Sequence, residues 1–174
     1  SLSHNNIWQI IEDPEFPGKI YWVATSNKLN RFNFEKKTFN HFYYDPENTN
    51  SISSNNIISL HKDTKGNLWI GTNNKGLCVL NIRTNRIRRF PYDPYTTTGI
   101  SSPQIFSITE DKAGKIWIGT TNKGLDCYDP QTDSFTHYLS DPNDTTSLSN
   151  NLIWSIKTDK DGTLWVGTNN KINK

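Results

Sequence analysis

Methionine is absent from this sequence, cysteine occurs only twice in 174 residues, and no apolar run approaches the roughly 20 residues that a membrane-spanning helix requires. No membrane contact is therefore expected within these residues. The opening SLSHNN supplies neither the basic nor the apolar segment of a secretion signal. With no initiating Met either, the expectation is a piece cut from a longer polypeptide. Charge of one sign is also scarce: 19 Lys and Arg stand against 17 Asp and Glu, a net +2 scattered evenly along the chain. Nucleic acid is not expected as a partner, since it requires a concentrated basic surface. Cys78 and Cys127 have no metal-ligand spacing and read as small buried hydrophobes, a disulfide between neighbouring repeats being left open. Neither metal nor cofactor is expected.

Aromatic residues, by contrast, are plentiful. Phe, Trp and Tyr make up 12% of a chain that is 33% hydrophobic, and six of them are Trp. That composition argues for packed structure over disorder. The arrangement is periodic: NLWIGTNNKGL from Asn67, KIWIGTTNKGL from Lys115 and TLWVGTNN from Thr163 align without gaps, setting Trp69, Trp117 and Trp165 48 residues apart. An earlier copy, IYWVATSNKLNRF around Trp22, is displaced by a longer turn, DPEFPGK. It has Ala24 where the others have Gly71, Gly119 and Gly167, and it lacks the glycine that follows Lys75 and Lys123.

One unit, Ser51 to Thr98, contains four short apolar runs (IISLHKD, LWIGT, LCVLNI, IRRFPY) separated by turn residues, with no helical period. Its first turn, Asp63 to Gly66, recurs at Asp111 to Gly114 and Asp159 to Gly162. Asp there accepts backbone N–H bonds and Gly supplies positive φ, the chemistry of a tight hairpin. Apolar residues on both faces of the middle strands require each sheet to be covered on both sides. The pattern predicts an all-β chain of β-propeller blades, each a four-stranded antiparallel sheet. The expected boundaries are a variant blade 1 at 1–50, blade 2 at 51–98, blade 3 at 99–146 and a partial blade 4 at 147–174, of which two strands are expected. Together these make about three and a half blades of a larger, seven- or eight-bladed propeller, one incomplete domain.

The motif Asp-x-x-Gly-x-Leu/Ile-Trp-Ile/Val-Gly-Thr followed by Asn-Lys-Gly-Leu resembles the two-component regulator propeller repeat. The resemblance covers essentially the whole chain. It implies a periplasmic sensor region of a Bacteroides-type hybrid two-component protein, anchored in the inner membrane, that senses oligosaccharides released from glycans. Histidine kinase and DNA-binding activities would then belong to the parent protein, outside these residues.

Repeat scaffolds concentrate function where matched units differ. The repeated Trp22, Trp69, Trp117 and Trp165 read as packing rather than sugar platforms. The varying positions lie just before and within the first strand of each unit. They are His4, Asn5, Asn6 and Trp8, then Ser54, Asn55, Asn56 and Ile58, then Ser102, Pro103, Gln104 and Phe106, then Asn150, Asn151, Leu152 and Trp154; the expected ligand-binding residues among them are His4, Asn5, Trp8, Ser54, Asn55, Gln104, Asn150, Asn151 and Trp154. If the first strand is innermost, these gather near one mouth of the channel, where amides, hydroxyls and aromatic rings suit an uncharged sugar. The competing reading is ordinary turn chemistry, with Trp8 and Trp154 packed between blades. Arg83, Arg86, Arg88 and Arg89 read as a charged outer edge strand. Four histidines without fixed companions argue against an enzyme, and a lyase or glycosidase is the weakest reading. A stack that does not close leaves two sheet faces exposed, so a homo-oligomer, a head-to-tail dimer, is expected, and a purely structural dimerisation module is the alternative function.

Overall fold

The computed structural model describes residues 1–174. Fifteen strands and no helix make up the chain: β1 (Ile7–Glu12), β2 (Ile20–Thr25), β3 (Leu29–Asn33), β4 (Thr38–Phe42), β5 (Ile57–Lys62), β6 (Asn67–Thr72), β7 (Leu77–Asn81), β8 (Arg86–Phe90), β9 (Ile105–Glu110), β10 (Ile116–Thr120), β11 (Leu125–Asp129), β12 (Ser134–Tyr138), β13 (Ile153–Thr158), β14 (Leu164–Thr168) and β15 (Ile172–Asn173). They form four antiparallel meanders, β1–β4, β5–β8, β9–β12 and β13–β15, called sheets 1 to 4 below. Sheet 4 has three strands, one more than expected: Ile172 and Asn173 pair with Gly167 and Val166.

Consecutive sheets meet chiefly through their first strands, β1 on β5, β5 on β9 and β9 on β13, and β5, β9 and β13 also meet the second strand of the preceding sheet. The first strands are therefore innermost and the fourth strands lie outside, the geometry of propeller blades. Between sheets 1 and 2, Trp22, Leu29, Ile52, Ile57, Leu60, Leu68 and Ile70 form one core. Between sheets 2 and 3, Trp69, Phe90, Ile105, Ile108, Ile116, Ile118 and Tyr128 form another. Leu125, Ile153, Ile156 and Val166 form the third, smaller one, with Trp117 packed against it. Trp22 and Trp69 are buried as the repeat implied. Trp165, the corresponding residue of sheet 4, is 42% exposed because no sheet follows it.

Each motif residue has a local task. The turn carboxylates accept backbone N–H bonds, Asp63 from Lys65 and Asn67 and Asp111 from Ala113 and Lys115, and they also hold the Trp: Asp63, Asp111 and Asp159 each accept an indole N–H at 2.8 Å from Trp69, Trp117 and Trp165. The Thr that ends each second strand closes the next turn, Thr72 and Thr120 donating to the carbonyls of Gly76 and Gly124 at 2.8 Å. Gly76 and Gly124 there have φ of 75° and 70°, a conformation that side chains disfavour. Cys78 and Cys127 are both free thiols and both buried. Burial pushes each thiol pKa up, that of Cys127 to about 11.

Candidate functional site

Every first strand contains a β-bulge. Pairing of sheet 1 steps from Ile7–Thr25 to Gln9–Ala24, leaving Trp8 as the extra residue, and sheets 2, 3 and 4 likewise leave out Ile58, Phe106 and Trp154. A bulge re-aims the side chain it carries. Because the first strands are innermost, the four bulges set a row of large apolar side chains along the inner wall. Ile58 is buried, whereas Trp8 and Trp154 are 52% and 54% exposed. Phe106 and Trp154 stack across the β9–β13 junction, centroids 5.2 Å apart and planes within 10°. Trp8 is tethered at its indole N–H to Ser26 Oγ at 3.0 Å, which also accepts from Asn6 at 2.8 Å. The indole N–H of Trp154 has no partner within the protein, and its ring offers a flat face.

The loops that lead into the first strands lie beside the β2–β3 type turn of the preceding sheet. Lys28 N–H donates to Asn55 O, Gly76 N–H to Pro103 O and Gly124 N–H to Asn151 O. Most residues named from the sequence spend their side chains on this junction. Asn55 and Asn151 accept from the N–H of Tyr44 and Ser140, both at 2.7 Å. Ser54 donates to Asn74 and accepts from Asn56 N–H, Asn150 accepts from Leu152 N–H, and His4 Nδ1 accepts from Asn6 N–H. Gln104 spans two blades, donating to Asn73 at 3.0 Å and accepting from Thr121 at 3.1 Å. Asn5 is exposed. Gln104 and Asn150 thus lie on the loops that enter β9 and β13, the strands that carry Phe106 and Trp154, while Trp8 and His4 belong to the far end of the row.

Phe106, one of the varying positions, is not among the expected ligand-binding residues, yet the structure stacks it on Trp154. The signal was present: each first strand opens with two consecutive apolar residues, Ile7-Trp8, Ile57-Ile58, Ile105-Phe106 and Ile153-Trp154, before a polar one, which breaks strict alternation. Catalytic geometry does not develop around these groups. His137 is the one histidine bound to a carboxylate, Asp126 Oδ1 at 2.6 Å, and its other nitrogen meets Thr97 O at 3.0 Å, so both ring nitrogens are occupied. His61 is half-buried, and burial pushes its pKa down. No three metal-ligating side chains cluster. A groove of about 840 Å³ runs along the outer part of sheets 3 and 4, lined by His137, Tyr138, Leu139, Leu148 and Ile172 among others. Trp117 is part of its lining, but none of the expected ligand-binding residues is.

The profile of the two-component regulator propeller matches residues 51–74, 99–122 and 147–170. Among solved structures, the extracellular domain of a hybrid two-component system from B. thetaiotaomicron is 28% identical with a TM-score of 0.79, over 98% of this chain and 21% of that one. A second such extracellular domain from the same organism is 24% identical with a TM-score of 0.80, over 96% of this chain and 22% of that one. The WD40 β-propeller domain of Doa1, 12% identical, shares the fold with a TM-score of 0.69 over 98% of this chain and 50% of that one. The chain spans about a fifth of the length of the first two structures. No curated protein sequence matches it significantly. No helix is long and apolar enough to cross a membrane.

Proposed function

We propose that this chain, which carries three two-component regulator propeller repeats, is part of the extracytoplasmic, periplasmic sensory region of a hybrid two-component signalling protein, and that its inner wall binds a glycan-derived oligosaccharide. The likeness to extracellular domains of hybrid two-component systems supports the signalling role. On this reading the histidine kinase and any regulator domain lie elsewhere in the same protein, and the segment itself carries no catalysis.

The observation that carries the ligand reading is the Phe106–Trp154 stack at the inner wall, with the Trp154 face half exposed. Pyranose rings have an apolar face that lies flat on an indole, and their hydroxyls satisfy amides such as those of Gln104 and Asn150. The test is a tryptophan-fluorescence titration with a panel of defined neutral and sulfated oligosaccharides. Saturable quenching by a panel member, weakened about tenfold or more in Trp154→Ala while the far-UV spectrum stays unchanged, is expected. If no member gives a saturable response, or if Trp154→Ala binds as the parent does, the reading fails.

A further inference from the structure

We propose that the oligosaccharide bound at the inner wall is acidic, its carboxylate or sulfate groups held by Lys75 and Lys123 while its rings lie against Trp154 and Phe106. The inference rests on the oligosaccharide reading above and adds the charge of the ligand to it.

A separation of charge between the two ends of the sheets carries it. Antiparallel strands send the chain from one end of a sheet to the other and back, so the loop into each first strand and the turn between second and third strands share one end. Residues 1–6, 51–56, 99–104 and 147–152, which lead into the first strands, include no Asp or Glu, and neither do 26–28, 73–76, 121–124 and 169–171, which join second strands to third. Each of those turns instead contributes one lysine: Lys28, Lys75, Lys123 and Lys171. The opposite end is mixed, with a carboxylate in every first turn, Asp13, Asp63, Asp111 and Asp159. Every ion pair that a Lys or Arg makes with a carboxylate uses an acid from that opposite end, among them Lys62–Asp13, Lys19–Glu35 and Arg88–Asp133. A net +2 that is scattered along the chain is thus unevenly placed in space.

The lysine-bearing turns are fixed against the loops that open the inner strands. In turn 121–124, Thr121 Oγ1 donates to Gln104 Oε1 at 3.1 Å and Gly124 N–H donates to Asn151 O at 2.9 Å. Turn 73–76 is held likewise, Asn73 N–H on Asn56 O at 3.0 Å and Gly76 N–H on Pro103 O at 2.9 Å, with Gln104 Nε2 donating to Asn73 Oδ1 at 3.0 Å. Lys75 and Lys123 therefore stand on turns to either side of the loop into β9, the strand that carries Phe106, and the turn of Lys123 also touches the loop into β13, the strand that carries Trp154. Both lysines are exposed, and neither ammonium makes an ion pair. The turns use only their main chain, Lys75 N–H donating to Thr72 Oγ1 at 2.9 Å and Lys123 N–H to Thr120 Oγ1 at 3.0 Å. Any residue but proline supplies that N–H, so the turn does not account for the charge. Unpaired ammonium groups of one sign beside an aromatic wall attract an anion, and they bind carboxylate or sulfate oxygens through charge-assisted hydrogen bonds.

Fluorescence titrations with a galacturonic acid tetramer and a sulfated galactose tetramer, each beside its carboxyl-reduced or desulfated counterpart, test this. An acidic tetramer is expected to bind roughly tenfold or more tightly than its neutral counterpart at low salt, the advantage shrinking as NaCl is raised. Lys75→Gln and Lys123→Gln should each cut that advantage about threefold or more, whereas Lys123→Arg keeps it. Lys65→Gln, the same charge change at the opposite end, should leave it intact. All four positions are surface side chains, so unchanged far-UV spectra and melting curves serve as the folding control. Neutral tetramers bound as tightly as acidic ones would overturn the inference and leave the oligosaccharide reading standing, whereas no saturable response to any tetramer would remove both. An effect of Lys65→Gln equal to that of Lys123→Gln would assign the preference to net charge and overturn the site. Inorganic sulfate bound as tightly as the acidic tetramer would make the ligand a free oxyanion and overturn it as well.

Discussion

Sheet 1 and the three sheets after it perform one structural task with different residues, and the differences separate what a blade requires from what it tolerates. The Asp-to-Trp clasp is required. Six residues separate Asp63 from Trp69, Asp111 from Trp117 and Asp159 from Trp165, but the longer turn of sheet 1 separates Asp13 from Trp22 by nine. The carboxylate still reaches the indole, at 3.3 Å rather than 2.8 Å. The left-handed residue of the second turn is required in shape but not in type. Lys28 adopts φ of 80° where Gly76 and Gly124 adopt 75° and 70°. What varies freely is the polar contact between blades. Sheets 1 and 2 share a buried ion pair, whereas sheets 2 and 3 share a surface contact between Glu110 and Thr64.

The sharpest break in that comparison comes from Lys62. Its side chain is 4% exposed and that of Asp13 1%, so Lys62→Ala leaves a buried carboxylate without its cation. A loss of about 3–5 kcal/mol in denaturant unfolding is expected. The matching change in the next junction, Glu110→Gln, gives up only solvent-screened bonds and is expected to cost less than about 1 kcal/mol. Equal losses would mean that the two junctions do not differ as their burial implies. The pH dependence follows. Burial by itself raises the Asp13 carboxyl, but the Lys62 ammonium, the Glu15 N–H and the Trp22 indole outweigh it and hold the pKa below the ordinary value. A depressed carboxylate stabilises above its unfolded pKa of about 3.9, and that contribution is lost as pH falls through the native value. Acid unfolding of the parent chain therefore includes this junction, and Lys62→Ala flattens its part of the acid slope.

Next in size is the glycine of the second strands. A Cβ on Gly71 would lie 2.1 Å from Ser59 Oγ and 2.8 Å from Ile105 of the following sheet. Gly71→Ala is expected to destabilise by about 1–3 kcal/mol through overpacking. Sheet 1 holds Ala24 at this place because its first-strand neighbour is Gln9, whose side chain extends away to Leu60 N–H. Combining Gly71→Ala with Ser59→Gln should recover part of the loss in thermal unfolding, and no recovery would sink this explanation. The opposite sign is expected at Lys28, where replacement by Gly removes the cost of a left-handed lysine and stabilises by about 1 kcal/mol.

Much of this was legible in the sequence, and the reason is repetition. A residue that every blade needs recurs at a fixed spacing, so the strands, the Asp-Gly turns and the packing role of Trp22 and Trp69 could be read from the alignment of the chain with itself. Contacts that each junction solves separately leave no such trace. Lys62 and Asp13 are 49 residues apart, and although the Asp recurs as Asp63, Asp111 and Asp159, the cation that meets it does not. The leading loops were harder still. Asn55 and Asn151 have the composition of a polar binding rim, yet their amides cap Tyr44 and Ser140. A backbone donor to be capped is invisible until the neighbouring turn is placed. The third strand of sheet 4 is only two residues long, Ile172–Asn173, too short for alternation to announce it.

The smallest effect is expected at a buried carboxylate, and it tests how interchangeable the sheets are. Asp126 Oδ2 accepts Ser101 N–H at 2.9 Å, as Asn30 Oδ1 accepts Ser3 N–H at 3.1 Å and Asn173 Oδ1 accepts Ser149 N–H at 3.0 Å. Its other oxygen meets His137 Nδ1 as Asn30 meets His41 Nδ1, at 2.6 Å and 2.9 Å respectively. An amide therefore already performs this role in two sheets, and Asp126→Asn is expected to change stability at neutral pH by no more than about 1 kcal/mol. The acid response should change more. Burial pushes the Asp126 carboxyl up against the opposing pull of Ser101 and His137. A raised carboxyl stabilises at pH below its unfolded value, and this contribution is lost as pH rises through the native one. Removing it leaves the acid loss at Asp13 uncompensated, so the variant should lose stability on acidification more steeply than the parent, as urea unfolding at neutral and acid pH would show. A loss of several kcal/mol at neutral pH would instead mean that the contact of Asp126 with His137 needs a carboxylate and that the sheets are not interchangeable at this place.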